Sequence, residues 1–197
     1  MKQRDVFLQS EGDPWLERNT PRGATRTLPE SDEVLLAILQ VPIPHTAAPN
    51  KLLEIGCASG WRLAWVRENR GFDCYGLDPS AQAVDAAAFD VVEFGCCPYF
   101  CNREDQFLIG CEADSVSRNP GWLVIQDFYS ATPCLRPYHD RSGICSFKMD
   151  YRDLFARHPG HSNYFHKIGH QFDDTYTDDP NEWVATSVVR KYLVPRG

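Results

Sequence analysis

The feature of this sequence that most restricts its fold is the stretch from Lys51 to Ser80, KLLEIGCASGWRLAWVRENRGFDCYGLDPS. An apolar run leads into a turn with glycines at 56 and 60, a segment with helical spacing follows, and a second apolar run ends at Asp78. Strand, helix and strand in this order form a unit whose two strands lie parallel in one sheet. Because helices cover both faces of such a sheet, we predict an α/β fold.

The segments around this unit continue the alternation of helices and strands. We predict a helix over DEVLLAILQ capped by Ser31, a strand over FDVVEFGCCPYF, a helix from Asn102 that ends at Asn119-Pro120-Gly121, a strand over WLVIQDFY, and a short helix over DYRDLFARH. The runs SNYFHKIGHQF and EWVATSVVRKYL predict an antiparallel hairpin at the edge of the sheet. Within GWRLAWVRENRG, we expect Trp61, Ala64 and Trp65 to share the apolar face and Arg62 to lie on the solvent side.

The first thirty residues differ from the rest of the chain, because glycine and proline recur among mixed charges. We expect residues 1–30 to form an irregular segment, in which Trp15, Glu17 and Arg18 could fold over a pocket as a lid or Trp15 could simply fill the core. Residues 31–197 are then one domain, since 197 residues support a single well-buried core.

The charge balance limits the partners of this chain. The net charge of −7, from 20 basic and 27 acidic residues, does not favour a nucleic-acid partner, because binding to phosphates needs clustered Lys and Arg. No apolar run approaches the roughly 18 residues of a membrane span, and the N-terminus lacks the apolar core of a signal peptide. We therefore expect a cytoplasmic protein without a membrane helix.

Eight cysteines are many for this length, but no two of them are spaced as CxxC. We expect these thiols to stay reduced and to pack as small apolar groups, and we expect no metal site. The alternative for a metal is His166 with His170, which alternation along a strand would place on one face.

The opening stretch also predicts a ligand. In an open parallel sheet, ligands bind beyond the carboxyl ends of the strands, where Gly56 and Gly60 would let the backbone come close. Asp78 lies 18 residues beyond Gly60, and its carboxylate can accept hydrogen bonds from both hydroxyl groups of a ribose. The dinucleotide pattern GxGxxG is absent from GCASGW, and Glu54 would repel a phosphate but suits ammonium and sulfonium groups. A nucleotide-dependent oxidoreductase is therefore disfavoured.

These residues resemble a known family. EIGCASG followed by GLDPS is similar to motifs I and II of the class I methyltransferases that use S-adenosylmethionine (AdoMet). FDVVEFGCCPYF resembles the fourth strand of that family, NPGWLVIQDF its fifth, and the final pair of strands its sixth and seventh, so that the resemblance runs from Glu30 to the C-terminus. SEGDPWLERN and PYHDRSGICSFKMDYRDLF also resemble stretches of a bacterial methyltransferase subgroup. The resemblance implies a Rossmann-like sandwich with AdoMet as the cofactor.

The resemblance also implies site residues. Glu54 would lie near the methionine amino group and Asp78 would hold the ribose hydroxyls, while Phe94 and Gly95 would line the methyl-transfer side. The methionine and ribose parts would be wrapped by Gly56, Cys57, Ala58, Ser59 and Gly60.

One departure from the family affects the cofactor. Only the ten residues 79–88 separate Asp78 from Phe89, whereas a crossover between parallel strands needs a dozen or so residues. The third strand of the family and its helix therefore cannot fit, and we expect the sheet to have either a gap or an exposed edge. A sheet of this kind could recruit a second copy of the chain as a homodimer, or the chain could be a non-catalytic relative that binds a partner.

Methyl transfer from a sulfonium group needs alignment of the acceptor more than a strong base. For an oxygen acceptor, we name His139 as the candidate base, with Tyr138 and Asp127 (and Asp140 nearby) to orient the acceptor; the alternative is that His139 is an exposed loop residue. We expect a small polar acceptor, a sugar, nucleotide-sugar or other metabolite, methylated on oxygen or nitrogen.

Overall fold

In a computed structural model of the protein, residue 14 and residues 32–43, 48–77, 89–170 and 177–193 are described. The predicted lid residues Trp15, Glu17 and Arg18, the predicted cap Ser31 and the ribose-binding candidate Asp78 lie outside the described residues. The helices and strands are α1 (Glu33–Gln40), β1 (Lys51–Ile55), α2 (Trp61–Arg70), β2 (Asp73–Leu77), β3 (Phe89–Gly95), α3 (Arg103–Val116), β4 (Ser117–Phe128), β5 (Cys134–Pro137), β6 (Cys145–Lys148), β7 (His161–His170) and β8 (Trp183–Lys191).

Six strands form one sheet in the order β2-β1-β3-β4-β8-β7. The strands from β2 to β4 in this order pair in parallel, while β8 pairs antiparallel with both β4 and β7. This arrangement confirms the predicted Rossmann-like sandwich with an antiparallel C-terminal hairpin. Sequence reasoning missed the separate two-stranded sheet of β5 and β6.

The shortened middle of the fold is visible at one edge of the sheet. β3 follows β2 in the chain but pairs with β1 on its other side, with Leu52 opposite Val91. β2 is left at the edge, with no further strand beside it among the described residues. This order agrees with the prediction that the third strand of the family is absent.

The core consists of two layers, one on each face of the sheet. On one face α1 and α2 cover strand residues such as Leu52, Val91 and Val188. On the other face, α3 and the side chains of Tyr151 and Phe155 cover Leu53 and Val92. Because adjacent strand residues point to opposite faces, near-continuous apolar strands such as these can fill both layers at once.

The ends of the elements partly differ from the predictions. Asp32 caps α1, where its Oδ1 accepts from Leu35 N at 2.7 Å, so the predicted cap at Ser31 is one residue too early. α3 ends at Val116 and β4 begins at once with Ser117, so the predicted helix end at 119–121 is wrong. DYRDLFARH was predicted to form a short helix but forms only a 3-10 turn, Tyr151–Leu154, which Asp150 caps by accepting from Arg152 N.

Among the described helices, none combines the length and apolarity needed to cross a bilayer.

The orientation of α2 corrects a further prediction. Its boundaries are as predicted, with Gly71 in a left-handed conformation just after the last turn. The face toward the sheet, however, carries Arg62, Leu63 and Val66, while Ala64 is exposed. Arg62 is only 7% exposed, so its predicted place on the solvent side is wrong. The reason is a set of carboxylates beneath it.

Candidate functional site

The turn between β1 and α2 lies at the carboxyl ends of the parallel strands. Its backbone has positive φ at Gly56 (+84°), Ala58 (+46°) and Gly60 (+70°). Gly56 N and Cys57 N both donate to Leu77 O, at 2.7 and 3.2 Å, which ties the turn to the end of β2. Such alternation of left-handed residues turns successive N–H groups toward one side, a geometry that suits ligand binding.

The two glycines of the turn have different surroundings. A Cβ at Gly56 would lie 2.8 Å from the Cβ of Cys97 and 2.9 Å from Gly95 O, so only glycine fits against the end of β3. A Cβ at Gly60 would meet nothing within 4 Å. The turn therefore packs tightly on its inner side and faces open space where α2 begins.

Beneath the turn, one guanidinium holds three carboxylates. Arg62 Nη1 donates to Glu54 Oε1 at 2.5 Å and to Glu93 Oε1 at 3.2 Å, and Arg62 Nε donates to Asp32 Oδ1 at 3.3 Å. The carboxylates come from β1, β3 and the residue before α1, so Arg62 ties three elements to α2. We call Arg62, Glu54, Glu93 and Asp32 the charged cluster.

Burial and mutual interaction set the proton affinities in the charged cluster. Glu93 is fully buried, and burial followed by the charge of Glu54 raises its pKa well above the usual 4.5. Burial also raises the pKa of Glu54, which Arg62 opposes. Burial lowers the pKa of Arg62, but the three carboxylates outweigh it and raise that pKa overall. Arg62 therefore stays charged, and Glu93 is the carboxyl group that keeps a proton most easily.

Two buried oxygens of the charged cluster, Glu54 Oε2 and Glu93 Oε2, accept no hydrogen bond from a neighbouring donor group, and the carboxyl groups of Glu54 and Glu93 bond to each other when one of them carries a proton. The cluster lies just under Gly95, where a Cβ would be 3.2 Å from Glu93 Oε1, 3.3 Å from Glu54 Oε1 and 3.4 Å from Arg62 Nη1. The charged cluster therefore packs directly against the backbone of Gly95, where a side chain would crowd it. An excess of carboxylates here favours a cationic ligand nearby.

The predicted cofactor residue Phe94 and its neighbours Cys96 and Cys97 have packing roles that the sequence did not reveal. Phe94 is 1% exposed and packs in the core at 6.1 Å from the ring of Phe155, rather than lining an open site. The Sγ of Cys97 donates to Ile55 O at 3.2 Å, beside the turn. Burial raises the pKa values of the Cys96 and Cys97 thiols, so both stay protonated. All eight cysteines are free thiols.

The predicted catalytic residues lie around the 3-10 turn Pro98–Phe100, on the α3 face. Asp127 is 2% exposed, and its carboxylate accepts from Tyr99 N at 3.1 Å and Phe128 N at 2.6 Å. Burial raises the pKa of Asp127 well above its usual range, although both backbone bonds oppose this. Asp127 therefore anchors the turn from within rather than facing an acceptor.

Tyr138 and His139 lie further out. The Tyr138 ring packs edge-on against Phe100, with centroids 4.8 Å apart, and its hydroxyl donates to Asp140 Oδ2 at 2.8 Å. The His139 side chain is 84% exposed and lies 3.2 Å from Asp140 Oδ1. The structure thus brings Tyr138, His139 and Asp140 together at the surface.

A small cavity of about 40 Å³ opens at the carboxyl edge on the α1 face. Gln126, Thr186 and Lys167 lie side by side in its wall on neighbouring strands, and Gln126 Nε2 donates to Thr186 Oγ1 at 3.2 Å. Lys167 forms an ion pair with Glu33 at the start of α1. Gln126 is also in register with Gly95, so the cavity lies next to the strand that carries the charged cluster.

The two histidines considered as metal ligands have separate partners. His166 Nδ1 lies 2.9 Å from Ser187 Oγ, and His170 Nε2 lies 3.0 Å from Glu182 Oε2. Among the residues that the structure describes, no group of three or more His, Cys, Asp or Glu side chains could hold a metal ion.

The raised pKa of Glu93 gives a prediction for stability. The folded protein keeps a proton on Glu93 that the unfolded chain releases above pH 4.5, so wild-type stability falls as pH rises from there toward the folded pKa. We expect Glu93→Gln to remove this loss, at up to about 1.4 kcal/mol per pH unit. Urea unfolding of both proteins between pH 5 and 8 measures the difference, and parallel pH profiles would contradict the burial of an ionisable Glu93.

No protein-family model matches the sequence, and no curated protein matches it by sequence. Solved structures do match the fold. The 1,6-didemethyltoxoflavin N1-methyltransferase of Burkholderia thailandensis, solved with 1,6-didemethyltoxoflavin and S-adenosylhomocysteine, is 14% identical, with a TM-score of 0.63 over 96% of this chain and 87% of that chain. A Haloferax volcanii protein from a complex with the Trm112 methyltransferase activator is 14% identical, with a TM-score of 0.60 over 98% and 99%.

A third similar structure is the O-methyltransferase of a trans-AT polyketide synthase multienzyme of Brevibacillus brevis, solved with S-adenosylhomocysteine. It is 11% identical to this chain, with a TM-score of 0.57 over 98% of this chain and 80% of that chain. At such identities the similarity establishes the fold. The chain has the Rossmann-like fold of class I AdoMet-dependent methyltransferases, as its motifs predicted.

Proposed function

We propose that this protein binds AdoMet at the turn Gly56–Gly60 and transfers a methyl group to a small polar acceptor. The observation that carries the proposal is the open glycine turn at the carboxyl ends of the strands, above a buried cluster with more carboxylates than guanidinium groups. The shared fold adds support, because the Burkholderia and Brevibacillus proteins of this fold were solved with S-adenosylhomocysteine.

The residues present fit this cofactor on two counts. Gly60 faces open space at the first turn of α2, where backbone N–H groups and the helix dipole favour a carboxylate such as that of the methionine moiety. Three carboxyl groups face one guanidinium next to Gly95, so the charged cluster keeps net negative charge even with a proton on Glu93, which favours the ammonium and sulfonium groups. Glu54 would thus act on the cofactor through its charge, because Arg62 already occupies its Oε1.

Bound AdoMet would supply an activated methyl group, so the chain mainly has to position the acceptor and exclude water. The turn residues Gly56 to Gly60 would hold the cofactor, and Asp78, directly after β2 in the sequence, would hold the ribose hydroxyls. Gly95, at the end of β3, would line the transfer side. Phe94 is not part of the proposed site, since its side chain lies in the core.

For the acceptor, we propose the cavity beside Gly95 that is lined by Gln126, Thr186 and Lys167. Amide and hydroxyl groups suit a polar molecule, and Lys167 is already paired with Glu33. A phosphate-bearing nucleotide-sugar would have to break that pair, so we favour an uncharged sugar or metabolite. His139 with Asp140 stays our candidate for proton removal from an oxygen acceptor, with Tyr138 beside it.

Two alanine substitutions test cofactor binding with a built-in control. Gly60 and Gly71 flank α2, have φ of +70° and +67°, and would each place a Cβ in open space. Alanine at either position should therefore cost a similar amount, on the order of 1 kcal/mol of stability. We expect only Gly60→Ala to weaken binding of S-adenosylhomocysteine, by at least about tenfold in isothermal calorimetry, because only its Cβ enters the proposed site.

The comparison separates the competing interpretations. Equal affinities of wild type, Gly60→Ala and Gly71→Ala would place the ligand away from this turn. A folded wild-type chain that binds no S-adenosylhomocysteine at all would favour the non-catalytic alternative, in which the shortened sheet no longer supports the cofactor.

A further inference from the structure

The charged cluster has an imbalance that the proposed function does not by itself require. One guanidinium faces three carboxylates, and the structure places Glu93 in the middle of the sheet with no solvent exposure. Among the described residues, Glu93 faces Glu54 on β1, Arg62 on α2 and Asp32 before α1, with the apolar Val124 opposite it on β4. No second cation balances the cluster among these neighbours.

We propose that Glu93 is a positioning residue that carries a proton in the cofactor-free protein and releases it when the positively charged donor binds. The proposal rests on AdoMet binding as proposed above. AdoMet has a sulfonium, an ammonium and a carboxylate group and so a net charge of +1, whereas its product S-adenosylhomocysteine has a neutral thioether and no net charge. Glu93 would therefore make the site favour donor over product, and would do so more strongly as pH rises.

The geometry places the Glu93 carboxyl group near the proposed position of the cofactor. Glu93 Oε1 would lie 3.2 Å from a Cβ at Gly95, so a cofactor group beside Gly95 would lie close to the Glu93 carboxyl group. A unit charge about 6 Å away, at an effective dielectric constant of about 20, shifts an equilibrium on the order of a hundredfold. Such a charge opposes the effect of burial and lowers the pKa of the Glu93 carboxyl group, which favours release of its proton.

The proton balance of the step is simple. The O–H bond of the Glu93 carboxyl group breaks, its electron pair stays on the carboxylate, and the proton passes to solvent buffer. The arriving positive charge then meets a cluster that has gained one negative charge. No bond of the cofactor changes in this step, so it can be measured by binding alone.

Calorimetry of the full chain with AdoMet and, separately, with S-adenosylhomocysteine tests the proposal. Each titration is run at several values between pH 6 and 8, in buffers with different ionisation enthalpies, which gives the number of protons released. For wild type, we expect release of up to one proton with AdoMet and an affinity that rises by up to about tenfold per pH unit. With S-adenosylhomocysteine we expect little proton release and a nearly constant affinity.

Variants assign the proton to one residue. Glu93→Gln keeps the shape and cannot ionise, so we expect it to abolish proton release with AdoMet and to remove the pH dependence of AdoMet affinity. Glu93→Met is a second variant without charge, should the amide disturb folding. Asp90→Asn is the control, because Asp90 is a carboxylate near the opposite end of β3 that pairs with Arg118 at 2.7 Å. It should release the same number of protons as wild type.

The outcomes distinguish this inference from the proposed function. If wild type binds neither compound, both fail. If it binds both with the same pH dependence and no proton release, the role of Glu93 is overturned while the cofactor site stands. If proton release persists in Glu93→Gln and Glu93→Met, another group supplies the proton and the assignment to Glu93 is wrong.

Discussion

Arg62→Met is expected to destabilise the protein by about 3–5 kcal/mol, the usual effect of removing one partner from a buried ion pair. The substitution would leave Glu54, Glu93 and Asp32 without their shared cation, and the first two are almost completely buried. Urea unfolding at pH 7 measures the loss. Arg70→Met is the matched control, since Arg70 is an exposed arginine on the same helix, and it should change stability by less than about 0.5 kcal/mol.

The cause of this loss can be checked by a second substitution. If unpaired charge is responsible, Glu54→Gln in the Arg62→Met background should recover part of the lost stability, because it removes one uncompensated carboxylate. Lower pH should also narrow the gap to wild type as the carboxylates take up protons. A gap that neither change reduces would mean that Arg62 contributes by packing alone, and the charged cluster would lose its electrostatic role.

Gly56→Ala is expected to be the most damaging single-methyl change in the turn. Gly56 and Gly143 share a φ of +84°, but a Cβ meets Cys97 Cβ and Gly95 O within 3 Å at Gly56 and nothing within 4 Å at Gly143. Both alanine variants incur the backbone strain, about 1–3 kcal/mol. Gly56→Ala should lose about 1–3 kcal/mol more, because the turn must move away from β3.

Thermal and urea unfolding of the two glycine variants measure this difference. We also expect Gly56→Ala to weaken S-adenosylhomocysteine binding by at least about tenfold, since the displaced turn no longer presents its N–H groups as before. Equal stability of Gly56→Ala and Gly143→Ala would show that the turn does not pack tightly against β3. The close contacts of Gly56 described for the candidate site would then be wrong.

Much of the fold follows from local features of the sequence. The glycine turn, the end of α2 at Gly71 and the C-terminal hairpin depend on residues close together in the chain, and all three are as predicted. The place of β2 at the edge of the sheet, with no further strand beside it among the described residues, agrees with the chain length, because the ten residues 79–88 are too few for a crossover with another strand.

The charged cluster could not be predicted from the sequence, because its members are distant from one another along the chain. Arg62 meets Asp32 and Glu93 across about thirty residues in either direction, and a single arginine on a helix ordinarily lies in solvent. One signal was present: Glu54 and Glu93 are acids within otherwise apolar strands. Buried acids need a partner, and Arg62 is the basic residue closest in sequence to Glu54 on the next helix.

The catalytic side was the least predictable part of the site. Side-chain direction along a strand separates Gln126 from Asp127, so that one lines the cavity on the α1 face and the other anchors the Pro98–Phe100 turn on the α3 face. The sequence indicated Asp127 as a polar residue at the end of a strand but gave no sign of which face holds the acceptor. The cavity residues come from three strands and one helix, which only the sheet order brings together.

Hydrogen exchange of the wild-type chain with and without saturating S-adenosylhomocysteine tests the central claim most directly, because it locates the ligand without an acceptor or a mutation. We expect slower exchange in peptides that cover residues 56–61 and 95–97, and unchanged exchange at the opposite end of the sheet, around residues 117–121 and 161–163. Protection confined to other parts of the chain, or no protection at any position, would contradict a cofactor site at the glycine turn.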